Sequence, residues 1–397
     1  MVQASIQALC QSGRCLDPAG RTQDGLSSDA QAPEGSHGLF GLRFLRTHRV
    51  RTYSPWVAAS VRQQVQTFLL RWSLQLNPSA EIYLSVDDTN APKYRGSKGF
   101  EGAAFHYNHT EGRATYGYAI VSLRLTAGTC SFAVSFRLYL REETVRKLNR
   151  GRPRDARLTH ASKLDLAREM LTEVQSLLPK DRKIYVLFDR WYASKELIGY
   201  CREQSWHVIC SLRSNRCLDG KSPNKVRLRN NEYAPTRVKG YSTDTTTTYL
   251  TYLLRGEVKG VGEVLVIVSK RNLRDKSREY FLCTNLSLRA RGVLDRYAHR
   301  YQIESDYLYL KDRLGAADFR QRSLEGINKY LTVCFVTLTY LQWRQHQLED
   351  ARNLADVQRQ HQHEHSVKFL THVCQIALEH QAVLPALKAV GLLGTTP

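Results

Sequence analysis

Residues 183–190 read K-I-Y-V-L-F-D-R, and no other stretch restricts the fold as much. The run Ile184–Phe188 is wholly apolar, too short for a helix and without the polar alternates that would leave one face in water. It predicts a short buried strand in the middle of a sheet, with Asp189 at its C-terminal end. Before it, residues 161–178 place Leu164, Leu166, Met170, Leu171, Val174 and Leu177–Leu178 along one side of a helix. After it, Ser194 opens a helix over 195–204, and W-H-V-I-C-S-L-R reads as another strand.

Three strands precede this block. E-I-Y-L-S-V-D-D ends in Asp87 and Asp88, Gly117 to Leu125 forms the second, and residues 130–140 alternate Phe132, Val134, Phe136, Leu138 and Leu140 with more polar neighbours. Residues 141–160 read as a basic loop. Three hairpin strands, a helix and a strand make the RNase H-like order, in which the first and fourth strands lie side by side. The expected fold is α/β: an RNase H-like mixed sheet flanked by helices, with a β-rich insertion between the fourth-strand Asp and the Glu304 helix, and a helical C-terminal region.

The expected domain plan follows from composition and periodicity. Residues 1–40 are a disordered or atypical tail rich in Gly, Ser, Gln, Asp and Pro, and 41–80 form a short helical region that includes an amphipathic helix over 55–76. The first part of the core is 81–212 and the insertion is 213–286, with strands near 246–255, 262–269 and 278–284. The core resumes over 287–345, with a helix at about 289–314, and 346–397 are helical.

Charge points to a polyanionic partner. Lys and Arg number 58 against 37 Asp and Glu, a net of +21. The excess is concentrated at 213–242, where Arg213, Arg216, Lys221, Lys225, Arg227, Arg229, Arg237 and Lys239 face only Asp219 and Glu232, with Tyr233 and Tyr241 between them. The 9 cysteines are scattered without C-x-x-C spacing, which suits free thiols in a reducing cytoplasm better than a disulfide framework or a zinc site. No N-terminal stretch resembles a signal peptide, and the apolar run 330–343 is too short to span a bilayer. His361, His363 and His365 alternate along a Gln-rich helix, a spacing that does not gather three imidazoles on one face.

Residues 297–311, Y-A-H-R-Y-Q-I-E-S-D-Y-L-Y-L-K, set four polar side chains at helical intervals. At about 100° per residue, Arg300, Glu304 and Lys311 fall within roughly 60° of Tyr297. Such a stripe is either a solvated face with an Arg300–Glu304 pair or half of a site that handles phosphate. The strand-end aspartates favour the second reading. Three converging carboxylates need a cation, and oxygen ligands without His or Cys select Mg²⁺ or Mn²⁺. Two such ions would carry in-line phosphoryl transfer at a phosphodiester. Arg300, Lys311 and Tyr297 would then grip the flanking phosphates. Lys93, with Arg95 and Lys98, is a further candidate for backbone phosphate, and Trp191 and Tyr192 either pack the strand-to-helix corner or stack on a splayed base.

These motifs resemble a known family. Y-x2-R-x3-E-x6-K, matched by Tyr297, Arg300, Glu304 and Lys311, is the signature of a branch of bacterial insertion-sequence transposases in the DDE superfamily. V-D-D-T-N-A-P-K is similar to that family's first-aspartate block and L-F-D-R-W-Y-A-S-K-E-L-I to its second, and the resemblance spans about residues 45–345. It implies Asp87, Asp189 and Glu304 as catalytic metal ligands. Asp87 is preferred over Asp88 because it precedes Thr89 in a D-x-T pattern and faces away from Ile82, Leu84 and Val86. It also implies cleavage of double-stranded DNA at terminal inverted repeats, joining of the 3′-hydroxyl to target DNA, a homodimer on paired ends and a bacterial, nucleoid-associated cytoplasmic location. A nuclease of the same fold that hydrolyses without joining, and a decayed or domesticated copy that only binds DNA, are the alternatives.

Overall fold

The structure, a computed structural model, describes residues 56–94, 96, 99–108, 111–239, 246–348 and 353–379. The segment 1–55, with the expected tail, lies outside these residues, as do Arg95, Lys98 and Tyr241. Contacts divide the chain into two units, one of 54–339 and one of 1–53 with 340–397.

The first unit is built on a mixed sheet. After α1 (Ala58–Leu76) come β1 (Ile82–Pro92), β2 (Ala104–Asn108), β3 (Arg113–Ala127) and β4 (Cys130–Tyr139). Helices α2 (Glu142–Asn149) and α3 (Lys163–Gln175) lead to β5 (Ile184–Phe188), α4 (Lys195–Glu203) and β6 (His207–Ser211). The core order is β4-β3-β1-β5-β6, with β1 parallel to β5 and β5 parallel to β6. This is the RNase H-like arrangement, and it places the first and fourth core strands side by side.

Local chemistry explains the elements. All five side chains of β5 are buried, each contributing about 1.5–3 kcal/mol of burial, so this strand can sit only in the middle. Ser162 and Asp165 form a capping box that starts α3, whose Leu166, Met170, Leu171 and Val174 face the sheet. Ser194 Oγ caps α4 by accepting from the Leu197 amide at 3.1 Å. The expected basic loop contains α2, with Glu142 and Glu143 in its first turn and Arg146 and Lys147 in its last, charges that suit the helix dipole. β1 does not stop at the aspartates but runs on to Pro92, because β3 is long enough to pair with it as far as Gly117.

The insertion extends the same sheet. β7 (Ala234–Lys239), β8 (Thr246–Val258), β9 (Gly262–Lys270) and β10 (Glu279–Cys283) continue it antiparallel in the order β6-β10-β9-β8-β7. Of these, β7 lies outside the strands expected from sequence: one prolyl and two basic positions hide its alternation of exposed Arg237 and Lys239 with buried Thr236 and Val238. The chain then forms α5 (Ala290–Tyr297), a 3₁₀ turn (Ala298–Tyr301), α6 (Gln302–Asp312) and α7 (Leu324–Gln345). α3 and α4 pack on one face of the sheet, and α5 and α6 cover the other. There Tyr83, Tyr185, Leu187, Ile209, Ile267, Phe281 and Tyr297 form one apolar cluster.

In the second unit the described residues carry α8 (Leu354–Glu379), whose Glu364 pairs with Arg344 at 3.2 Å and whose His361 ring lies 5.4 Å from that of Tyr340. No disulfide joins the described cysteines, and none of the described helices is long and apolar enough to cross a membrane.

Candidate active site

The sheet register brings the two aspartates to neighbouring strands. In the parallel pair β1–β5, Ile82 lies beside Ile184 and Ser85 beside Leu187. The pairing ends there, but alternation puts Asp87 and Asp189 on the face marked by the stacked rings of Tyr83 and Tyr185, and the Asp189 charge acts on the Asp87 carboxyl. Asp189 stands just past β5 and is fixed as a turn carboxylate. Its Oδ1 accepts from the amides of Trp191 at 2.8 Å and Tyr192 at 3.4 Å.

The third acid reaches them through Arg300. The guanidinium Nη1 donates to Asp87 Oδ2 at 3.2 Å and to Glu304 Oε1 at 3.0 Å, while Nε donates to the Tyr297 hydroxyl at 3.1 Å. One nitrogen therefore bridges a strand carboxylate and a helix carboxylate, and the two oxygens are no farther apart than these bonds laid end to end. The Arg300 side chain is 11 % exposed and that of Glu304 52 %, so the acid on α6 forms the solvent-facing lip of the group.

Electrostatics follow from this geometry. Burial lifts the Asp87 carboxyl to about 7. Arg300 and the hydrogen bond from the Asp88 amide oppose the rise, and the neighbouring charges of Asp88 and Asp189 add to it. Burial also works against the Arg300 charge, yet Tyr297, Asp87 and Glu304 outweigh it and hold the guanidinium above its ordinary pKa.

Asp88 belongs to the other face of the sheet. Its Oδ2 takes Lys163 Nζ at 2.5 Å and its Oδ1 accepts from the Tyr192 hydroxyl at 2.9 Å. Only its amide turns toward Asp87, donating to Oδ1 at 2.9 Å. Asp87 is thus the residue that shares a face with Asp189 and Glu304.

Two side chains expected to hold DNA are engaged within the protein itself. Tyr297 is 4 % exposed and packs against Phe281 in the apolar cluster. The uniform 100° rule fails there because the 3₁₀ turn Ala298–Tyr301 separates α5 from α6. Lys93 donates from Nζ to the carbonyls of Ala317 at 2.5 Å and Phe319 at 2.7 Å and lies 3.4 Å over the Phe319 ring, with burial pulling its pKa down to about 8. It pins the chain after β1 to the segment before α7. Lys311 is half-buried two turns beyond Glu304, its pKa lowered by burial. The aromatic pair is split: Tyr192 is fully buried, whereas Trp191 is 41 % exposed, edge-on to Tyr192 and 5.1 Å from Lys163 Nζ.

A family model for DDE superfamily endonucleases matches residues 4–245. The chain belongs to the DDE superfamily of endonucleases. In this endonuclease the matched span contains Asp87 and Asp189, begins inside the segment expected to be an atypical tail, and ends before Glu304. A search of curated proteins returned no match.

The donor set of the endonuclease fits hard divalent cations, since Asp87, Asp189 and Glu304 offer only carboxylate oxygens. A buried carboxyl lifted to about 7 beside other acids is also short of positive charge. Among the described residues no group of three or more His, Cys, Asp or Glu is closed into a metal cluster, and the Arg300 nitrogen stands between Asp87 and Glu304. Sequence reasoning missed Lys163 and a buried pair between Arg124 and Asp306 under the Glu304 helix. The motif E-S-D at 304–306 carried a signal for the latter, since a second acid so close to Glu304 requires its own partner.

Proposed function

We propose that this DDE endonuclease is the transposase of a bacterial insertion sequence, of the branch with the Y-x2-R-x3-E-x6-K signature. It would cleave double-stranded DNA at terminal inverted repeats and join the 3′-hydroxyl to target DNA, working as a homodimer on paired ends in the cytoplasm. One observation carries the reading: a single Arg300 nitrogen joins Asp87 to Glu304, and Asp189, just past the end of the neighbouring strand, lies near enough for its charge to act on Asp87. Acids and a guanidinium gathered at the strand ends, one of the acids buried with a raised pKa, support a functional site.

Asp87, Asp189 and Glu304 would hold two Mg²⁺ or Mn²⁺ ions. When bound, these supply the Lewis acidity that activates a water or 3′-hydroxyl and stabilises the leaving oxygen of an in-line displacement. The chain's own groups prepare the site. Asp189 is oriented by two backbone amides before any ligand arrives. Asp87, raised to about 7, gives up its proton when positive charge approaches. Arg300 holds the acids together meanwhile, and its planar fork suits a phosphate oxygen. Trp191 offers an exposed indole face at the rim for an unstacked base.

The test uses a supercoiled plasmid carrying the reading frame with its flanking DNA. Wild type is expected to nick at the element ends with Mg²⁺ and to yield joined products, and Asp189→Asn to lose at least about a thousandfold in rate, the scale of a lost charge-stabilising group. Nicking without joining would indicate a hydrolytic nuclease. Inactivity of both proteins with DNA binding intact would indicate a binding-only copy.

A further inference from the structure

We infer that Arg124 and Asp306 are a positioning pair that sets the place of Glu304 along the sheet; the inference rests on the metal-site reading above. Arg124 on β3 is 6 % exposed and Asp306 on α6 is 3 % exposed, and they form an ion pair. Around it runs a polar ladder. Arg124 Nε donates to Ser131 Oγ at 3.1 Å and to Gln302 Oε1 at 3.4 Å. The same Gln302 oxygen accepts from Ser131 Oγ at 2.7 Å and from Thr126 Oγ1 at 3.0 Å. Beyond Asp306 on α6, the Tyr307 hydroxyl meets Ser122 Oγ at 2.6 Å.

The spacing explains what the ladder does. Ser122, Arg124 and Thr126 alternate along β3 and share one face; Gln302 and Asp306 are four apart on α6 and share another. A buried ion pair adds little net stability over apolar residues of the same volume, but its directional bonds admit one register. Sliding α6 by a turn would leave each of these groups without its partner in a buried place. On its other edge β3 pairs with β1 so that Ser122 lies opposite Asp87 and Arg124 opposite Ser85. The ladder is therefore indexed to Asp87, and Glu304, between Gln302 and Asp306, is indexed with it.

The decisive variant is Arg124→Met/Asp306→Leu, which removes both charges together. Each single change strands a buried charge and is expected to lower the melting temperature; the double change restores it. Mn²⁺ binding, followed by electron paramagnetic resonance on the DNA-free protein, and single-turnover nicking are both expected to weaken in the double variant by about tenfold or more, with DNA affinity unchanged. A role in stability alone would restore all three, so a folded double variant with wild-type Mn²⁺ affinity and nicking overturns the inference. Should the double variant fail to fold, Tyr307→Phe removes one hydrogen bond without changing volume, and unaltered Mn²⁺ affinity there overturns it equally. Asp87→Asn separates the two levels: if it binds Mn²⁺ and nicks like wild type, the metal-site reading falls, whereas its loss of both leaves only the positioning pair in question.

Discussion

Asp87 serves two conflicting demands. Its buried place beside Asp189 suits a ligand, but without a cation the same burial holds its proton up to about 7. The folded pKa lies above the unfolded value of 3.8, so the folded chain keeps a proton that the unfolded chain releases. Stability from this group is complete at acidic pH and is lost as pH rises through 7. Asp87→Asn, which carries no proton to lose, is therefore expected to be more stable than wild type, by a margin that widens between pH 5 and pH 8 to at most about 4 kcal/mol. Denaturant unfolding of both proteins at the two pH values, without divalent ions, measures that margin; a constant difference would contradict the assignment. Tyr297 shows what the residue scale hides from sequence: a phenol three residues before a site arginine can serve that arginine from inside the core.

At the scale of elements, Gly117 carries a backbone requirement. It has φ of 154°, and a Cβ there would press into the Ala91 carbonyl oxygen where β1 and β3 pair closely. Gly117→Ala is expected to cost about 1–3 kcal/mol, read by thermal unfolding, while Gly199→Ala, on an open helix face, is expected to be neutral or stabilising. The strands that sequence made legible were those with strong period or complete burial, such as Cys130–Tyr139 and Ile184–Phe188. β2 was not legible, because its five residues put Phe105 and Tyr107 outward and bury His106, reversing the usual pattern. At the site, Asp87 and Asp189 could be paired from strand order alone. The role of Arg300 as a bridge could not, because it depends on a 3₁₀ turn that no spacing rule announces.

At the scale of the whole molecule, part of the basic excess lies in the segment that leads into the edge strand β7. Arg213, Lys221, Lys225, Arg227, Arg229, Arg237 and Lys239 are all exposed, and the last two share the outer face of the edge strand β7. If these residues meet a DNA backbone, affinity falls steeply with salt, and each contact removed lowers the log–log slope by about 0.9. A variant with Arg227, Arg229, Arg237 and Lys239 all changed to Gln is expected to show a slope shallower by up to about 3.6 units, in binding titrations from low to high salt; an unchanged slope would place the DNA elsewhere. The sheet beneath these charges has no seam. Hydrogen bonds run without interruption from β7 through β10 into β6 and β5, the strand that ends at Asp189. Four strands, β6, β10, β9 and β8, lie between β5 and the basic edge strand β7. The basic edge and the strand that leads to Asp189 are thus parts of one hydrogen-bonded sheet.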